Sequence, residues 1–427
     1  MNPEQQSLSD IELDSDNSKK PYNLRRQSVN QPDSWNICSL GDLLELEYGT
    51  SLPKKERENG PYPVFGSNGR SGWHSDYHIE APGIIVGRKG VNLGIKWSDK
   101  DFNVIDTAYF INSNTLNTTD LDLRFLYYNL LDFDLDRLKS GSAVPGLNRD
   151  EFYSETIVVP PITEQKKIAF ILENLDRQIE VNNRINKNLE DVVQTLFTHQ
   201  FVNFGPYDDF EDSPIGEVPK CFDILDMGDI CSTRGGGTPS TENDEYWEGD
   251  NLWLTPKDVT SLNTKMVFDT TRKITDKGLN NSSTKIMPKK SVLLTSRATV
   301  GEVVVNREPM GTNQGFICIQ PNERVETYYL SCLLKNKRPE IESRASGSTY
   351  DEISQTSFNE IKLAVPPKED IERFENRVED LYEEIYTREL QNRKLESLRD
   401  TLLPKLMSGE IRVNDINLED LEVDNEV

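Results

Sequence analysis

Two sets of side chains in this 427-residue sequence have the types and spacing to recognise another molecule through charge and hydrogen bonds. The first is Lys54, Lys55, Arg57, Ser67, Asn68, Arg70, Arg88, Lys89 and Asn92. The second is Arg234, Thr238, Lys257, Lys285, Lys289, Lys290, Ser296, Arg297, Asn313 and Gln314. Guanidinium and ammonium groups pair with phosphate and with the guanine edge, and carboxamides pair with the adenine edge. Taken singly, each of these residues reads as ordinary solvated surface. As sets they are candidates for nucleic-acid contact that need independent support.

Signatures of bond-making chemistry are missing. No GxxxxGK[ST] loop is present. Both Pro-Pro pairs follow valine (Val159 and Val365), so neither belongs to the Asn- or Asp-Pro-Pro-aromatic motif of amino-methyltransferases. Phe65 to Gly69, FGSNG, reads as a turn rather than a phosphate loop. Glu360-Ile361-Lys362 matches the Glu-x-Lys half of a nuclease metal site but lacks a partner aspartate. The three histidines, His74, His78 and His199, do not group with the five cysteines, so no zinc site is expected. Scattered, odd-numbered thiols fit a reducing compartment.

The elements that must position the two sets follow from an internal repeat. VVPP at Val158 to Pro161 recurs as AVPP at Ala364 to Pro367, an offset of 206. At that offset GSAVPGLNRDEF (Gly141 to Phe152) faces GSTYDEISQTSF (Gly347 to Phe358), and NKNLEDVVQTLF (Asn186 to Phe197) faces NRKLESLRDTLL (Asn392 to Leu403). Upstream the match loosens: IIVGRKG aligns near VLLTSRATVG, and LGD at Leu40 with MGD at Met227. Such long half-repeats are a duplicated two-part module, not a solenoid. Each half has a front part of short strands, turns and a helix or two (34–159, and 205–365 counting a short linker). Each then has a helical rear part (160–204 and 366–412) entered through Pro-Pro, with Thr163 as an expected N-cap. In the first rear part the apolar stripe is Ile168, Leu172, Leu175, Ile179, Leu189 and Leu196, with Asn182 and Asn186 between. In the second it is Phe374, Val378, Leu381, Ile385, Leu395 and Leu402, with Arg388 and Asn392 between. Spacings of four and three make a heptad seam, and duplication supplies two matched helices to pair within the chain. The expected fold class is α+β: two mixed α/β domains separated by two long antiparallel coiled-coil helices, with a pseudo-two-fold relation.

The formal charge is −25, which at face value speaks against a polyanionic ligand. Its distribution changes that reading. Residues 1–33, 205–219 and 413–427 hold −13 of it, whereas 220–365 carry 20 acids and 18 bases. These acidic stretches are expected to be solvated and disordered. No stretch approaches the ~18 apolar residues of a membrane span, and the N-terminus lacks a signal-peptide layout. A cytoplasmic protein is expected.

The motifs as a group resemble the specificity (S) subunit of Type I restriction–modification systems over about 35–412. VPPITEQKKIAFILENLDRQI is similar to the start of that family's first conserved helical region, and LRDTLLPKLMSGEI to the end of its second. DSPIGEVPK (Asp212 to Lys220), GGTPST, EYW, WLTPKDV, SRATVG and TNQGF are likewise similar, in the family's order. The resemblance implies a non-catalytic subunit with two target-recognition domains, each reading one half of a split, asymmetric sequence in double-stranded DNA. It implies helices that set the gap and dock two modification (methyltransferase) subunits, which restriction subunits can join. S-adenosylmethionine, ATP and magnesium would then belong to the partners, with no cofactor or metal in this chain. The acidity would then mean weak DNA binding by the chain alone, because partners neutralise phosphate or because it works at high salt. Lys368-Glu369-Asp370 departs from the Glu-Gln pair at Glu164-Gln165, which puts equal docking of both partners in question. The rival readings are a self-contained restriction–methylation enzyme and a coiled-coil scaffold without DNA.

Overall fold

The computed structural model describes residues 34–413 except 91–92, 141–144, 298 and 347–350. The tails expected at 1–33 and from 414 on, Asn92, and the starts of the GSAV and GSTY repeat segments lie outside the described residues. The chain divides into two compact units, Met1–Ile179 with Arg393–Val427 and Glu180–Asn392. Each unit takes one front part and a portion of each of two long helices, Ile162–Phe197 and Lys368–Ser408.

In the first unit, β1 (Asn36–Ser39) leads into a one-turn helix, Leu40–Leu43, whose N-terminus Ser39 caps through Asp42 N. Then come β2 (Glu47–Tyr48), β3 (Tyr62–Gly66), β4 (Gly69–His74), β5 (Gly83–Gly87), β6 (Ile95–Ser98), β7 (Asn103–Val104) and β8 (Ala108–Asn112). A helix at Leu123–Leu131 precedes the short strands β9 (Lys139–Ser140) and β10 (Gly146–Leu147), then a helix at Arg149–Ser154 and β11 (Thr156–Val159). β11 closes the domain by pairing antiparallel with β1, Ile37 opposite Val158. The main sheet has the order β2-β8-β5-β6, and a second sheet the order β4-β3-β7 with β3 and β7 parallel. β5, GIIVG, is buried at every position, which is why it reads as an unbroken apolar run rather than an alternating one.

The second unit repeats this plan. β12 (Phe210–Ser213) and β13 (Gly216–Pro219) form a hairpin, and β14 (Asp223–Asp226) runs into the one-turn helix Met227–Ile230. β15 (Cys231–Gly235), β16 (Trp247–Leu254), β17 (Met266–Val267), β18 (Arg272–Ile274), β19 (Val292–Thr295), β20 (Val303–Asn306), β21 (Met310–Thr312) and β22 (Phe316–Pro321) follow. β23 (Lys362–Val365) then pairs antiparallel with β14, Ile224 opposite Ala364. The main sheet is β15-β22-β19-β20-β17 and the second is β18-β16-β21, again with one parallel pair, β16 with β21. The weak upstream repeat in the sequence therefore corresponds to a shared strand order, with β5 standing where β19 stands.

In both units the strand that closes the domain stops at valine, two prolines follow, and a long helix starts at once, at Ile162 or Lys368. Proline cannot donate to a ladder but suits a helix start. Thr163 lies inside the first helical turn and does not cap it; the amides of Glu164 and Gln165 bond the Pro161 carbonyl instead. The acidic stretch 205–219 is not disordered. Its hairpin buries Val218, while Phe204 packs against Phe210 and Phe222, and the acids Glu211, Asp212 and Glu217 face outward.

The stripe residues enter the core of their own unit. In the first, Ile168, Leu172, Leu175 and Ile179 share a core with Leu395, Leu402 and Leu406 under the helix Leu123–Leu131. In the second, Val193, Phe197, Phe374, Val378 and Ile385 are buried with Tyr382, and Leu189, Leu196 and Leu381 pack at the edge. Each fully buried side chain of this size contributes about 1.5–3 kcal/mol. The polar positions form a layer within the second unit: Asn182 Nδ2 donates to Asn392 Oδ1 at 2.9 Å, Asn392 Nδ2 to Asn183 Oδ1 at 2.9 Å, and Arg388 Nη1 to Asn182 Oδ1 at 3.2 Å. Asn186 is fully buried, and neither polar atom of its side-chain amide has a hydrogen-bond partner among the described residues.

Candidate nucleic-acid interface

One end of each main sheet gathers most of the candidate residues. In the first unit, β5 runs directly into Arg88 and Lys89, and the β3–β4 hairpin turn carries Ser67 and Asn68. Ser67 knits the two loops. Its hydroxyl donates to the Thr107 carbonyl, accepts from Lys89 N at 3.2 Å, and its own carbonyl accepts from Gly94 N at 3.0 Å. Ser67 is buried, so it is a strut rather than a reader; Asn68 and Lys89 are exposed beside it. FGSNG is thus the hairpin turn, and Gly69 has φ +112°, a conformation L side chains rarely adopt. Arg57 is held against β4 by hydrogen bonds from Nε to the Leu52 carbonyl (3.0 Å) and from Nη1 to the Ser71 carbonyl (2.9 Å). Arg70 lies 4.8 Å from the ring centre of Trp73, which is 41% exposed. Lys54 and Lys55 sit exposed on a single 3-10 turn.

Arg149, which the sequence reading passed over, completes this end. It starts a short helix and donates Nη2 to Tyr153 Oη (2.7 Å) and the Leu46 carbonyl (3.2 Å), and Nη1 to Tyr48 Oη (3.3 Å). Hydrogen bonds from Arg149 and Tyr109 hold the Tyr48 phenol below its ordinary pKa. The signal in the sequence was only a basic residue at a helix start, where the macrodipole disfavours it.

In the second unit the same end of the sheet collects Arg234, Thr238, Lys257, Ser296, Arg297, Asn313 and Gln314. Thr238 Oγ1 donates to Gln314 Oε1. Ser296 N donates to the Gly315 carbonyl at 2.7 Å, and Asn313 N to the Leu254 carbonyl at 3.0 Å. Only glycine fits at 236, where a Cβ would lie 2.0 Å from the Asn313 carbonyl oxygen. Lys257 projects from the helix Pro256–Ser261, capped by Thr255 and Asp258. Burial pushes the Asp258 carboxyl up, but hydrogen bonds from Thr255 and Thr271 outweigh it and hold the pKa below the usual value. The cap therefore stays anionic and fixes the loop that presents Lys257. Arg234 and Lys257 are exposed, Ser296 is buried, and Arg297 is tied to Glu352 at 2.7 Å. Lys289 and Lys290 are not part of the gathering: they sit before β19, at its other end, paired with Glu308 (3.0 Å) and Glu379 (2.8 Å). Lys285 is exposed ahead of them.

Among the described residues no group of three His, Cys, Asp or Glu could hold a metal ion, and no helix is long and apolar enough to cross a membrane. Glu360 caps the helix Gln355–Asn359 through its backbone amide, and Lys362 pairs with Asp226 at 2.9 Å.

Two units of like strand order, each gathering guanidinium and amide groups at one end of its main sheet, point to the class of recognition proteins. The family follows from comparison: the model of the Type I restriction modification DNA specificity domain matches residues 32–191 and again 219–396, and the chain belongs to this family. It is 34% identical over 199 residues to the MjaIX specificity subunit of Methanocaldococcus jannaschii, a match covering 46% of each chain. It is 25% identical over 380 residues to the HindI specificity subunit of Haemophilus influenzae, covering 74% of this chain and 82% of that one. An S subunit from M. genitalium of known crystal structure shares the fold, with a TM-score of 0.53 and 20% identity over 88% of this chain and 96% of that one.

Proposed function

We propose that this chain is the DNA-reading, non-catalytic subunit of a Type I restriction–modification complex. Each unit's front part is a target-recognition domain that reads one half of a split, asymmetric site through the loops gathered at the end of its main sheet. The observation that carries this reading is the duplication of that loop cluster on a shared strand order, with different side chains in each copy. A shared scaffold with different lining residues is what two different half-sites require. The two long helices pair antiparallel as a pseudo-symmetric spacer. A 36-residue helix is ~54 Å long at ~1.5 Å per residue, enough to separate half-sites one helical turn of DNA (~34 Å) apart. They also dock two modification subunits, and restriction subunits complete the nuclease. S-adenosylmethionine, ATP and magnesium act in those partners.

The test is to co-express the chain with its modification subunits and map methylated bases in the host genome. A bipartite motif with a constant gap is expected. Exchanging residues 34–159 for the matching segment of a relative should change one half-motif and leave the other and the gap intact. Methylation by the purified chain alone would instead establish the self-contained enzyme. Absence of any DNA binding with partners present would leave the scaffold reading.

A further inference from the structure

The two reading heads differ in how their cations are neutralised. Among the described arginines of the first unit, Arg124, Arg137, Arg177, Arg399 and Arg412 each have a carboxylate partner. Arg57, Arg70, Arg88 and Arg149 have none among the described residues, in a chain of net charge −25; Arg57 is bound by carbonyls and Arg70 lies on Trp73, whereas Arg88 and Arg149 share one site. Both guanidiniums sit on the same two rings: Arg88 lies 4.9 Å and 5.7 Å, and Arg149 5.2 Å and 5.7 Å, from the centres of Tyr48 and Tyr109. Tyr48 is 48% exposed, so the pair is at the surface. Arg88 is steadied by one hydrogen bond, Nη1 to the Asp106 carbonyl at 2.8 Å. Arg149 is fixed by three, and its buried Nε has no partner. The counterparts in the second unit are different. By the repeat offset, Gln355 stands for Arg149, and Ser296 stands for Arg88, since Ile353 N bonds the Ser296 carbonyl as Leu147 N bonds the Arg88 carbonyl; the next residue, Arg297, is neutralised by Glu352.

Two like charges held on shared rings repel each other, and stacking on an exposed ring returns only about 0.5–1 kcal/mol each. An anion between them removes the repulsion and gains charge-assisted hydrogen bonds. We infer that Arg88 and Arg149, set on Tyr48 and Tyr109, form a phosphate clamp by which the first unit grips the DNA backbone, a clamp the second unit lacks. Arg88 is the contact. Arg149 is a positioning residue that also supplies charge. A base-reading arginine needs a guanidinium free to reach into a groove, whereas both of these lie against the protein's own rings. The inference rests on the DNA reading proposed above.

The test uses the full chain assembled with its modification subunits, a duplex containing the methylated motif, and an unrelated duplex of the same length. Affinity is measured against salt concentration for wild type, Arg88→Gln, Arg88→Lys, Arg149→Gln and Arg324→Gln, with thermal melting of each. Arg88→Gln should lower the slope of log K on log salt by about 0.9, the loss of one phosphate contact, and weaken both duplexes alike. Arg88→Lys should restore the slope. Arg324→Gln, which removes an arginine paired with Asp223 beyond the other end of the second main sheet, should leave it unchanged. Arg149→Gln should lower it too, and a fall confined to variants with depressed melting would assign the effect to folding and overturn the clamp. An unchanged slope with altered preference in one half-site would make Arg88 a base reader and also overturn it. If wild type binds neither duplex, the DNA reading itself fails, which separates that failure from the clamp's.

Discussion

Replacing Arg412 by methionine probes the clasp that ties the last described residues to the start of the first long helix. Arg412 grips Glu164 with two hydrogen bonds, Nε to Oε1 at 2.7 Å and Nη2 to Oε2 at 2.9 Å. Trp35 Nε1 donates to the same Oε2 at 3.0 Å, and the Arg412 guanidinium lies 5.5 Å from the Trp35 ring centre. Glu164 is 9% exposed, so without Arg412 its charge is left with the Trp35 indole as its remaining side-chain donor. Breaking a buried pair from one side costs about 3–5 kcal/mol. The arginine side chain is a third exposed, so solvent screening brings the expected loss to about 2–3 kcal/mol. Methionine keeps most of the apolar stem, which confines the loss to charge and hydrogen bonding. Equilibrium urea unfolding followed by tryptophan fluorescence measures it. A double-mutant cycle with Glu164→Gln isolates the pair, and a coupling of at least about 1 kcal/mol is expected because the groups are in direct contact. A coupling near zero, with Arg412→Met still destabilising, would show that arginine acts by packing and would refute the clasp. A loss below about 0.5 kcal/mol, the range of an ordinary surface change, would refute it outright.

Other expected outcomes concern the second unit. Burial pushes the Glu375 carboxyl up to about 7, even though it accepts hydrogen bonds from the amides of Tyr328 and Tyr329. The folded state therefore holds this proton more tightly, and the stability it contributes below the unfolded carboxylate range is lost as pH rises toward 7. Glu375→Gln should gain on wild type by up to about 3 kcal/mol between pH 4.5 and 7.5; a gap in urea stability that does not vary with pH would contradict this. Asn186→Leu removes a buried amide without a partner and should stabilise the unit by about 1–3 kcal/mol, whereas a lower urea midpoint would mean that the amide is satisfied. Phe201→Ala takes one ring from the knot of Phe197, Tyr329 and Phe374. It should cost about 3–5 kcal/mol, and a loss under 1 kcal/mol by the same measurement would show the knot to be loosely packed. Arg234→Ala, at an exposed arginine without an ion-pair partner among the described residues, should relax recognition of one half-site in methylation maps; equal loss at both halves would point to misfolding.

Much of this protein can be read along the chain because it is written in local periodicity. The heptad stripes from Ile168 to Leu196 and from Phe374 to Leu402, the Pro-Pro junctions, and the apolar runs GIIVG, VLLT and FICIQ each depend on neighbours a few residues apart. The repeat also showed that two similar modules exist, since duplication leaves its trace in spacing. The neutralisation of charge was not legible. Arg297 and Arg88 look alike as letters, yet Glu352 pairs with one and tyrosine rings hold the other, and those partners are set by contacts across tens of residues. Ser67 and Ser296 were read as surface groups, but the meeting of two loops buries both. The acidic stretch 205–219 looked solvated because its charges outnumber its anchors, yet Phe210 packs on Phe204 and Val218 is buried. Arg149 shows the limit most directly: helix-start chemistry argues against an arginine there, and only the fold brings Tyr48, Tyr109 and Tyr153 around it. Elements follow from near-neighbour pattern, while the electrostatics of a site depend on which distant groups share its space.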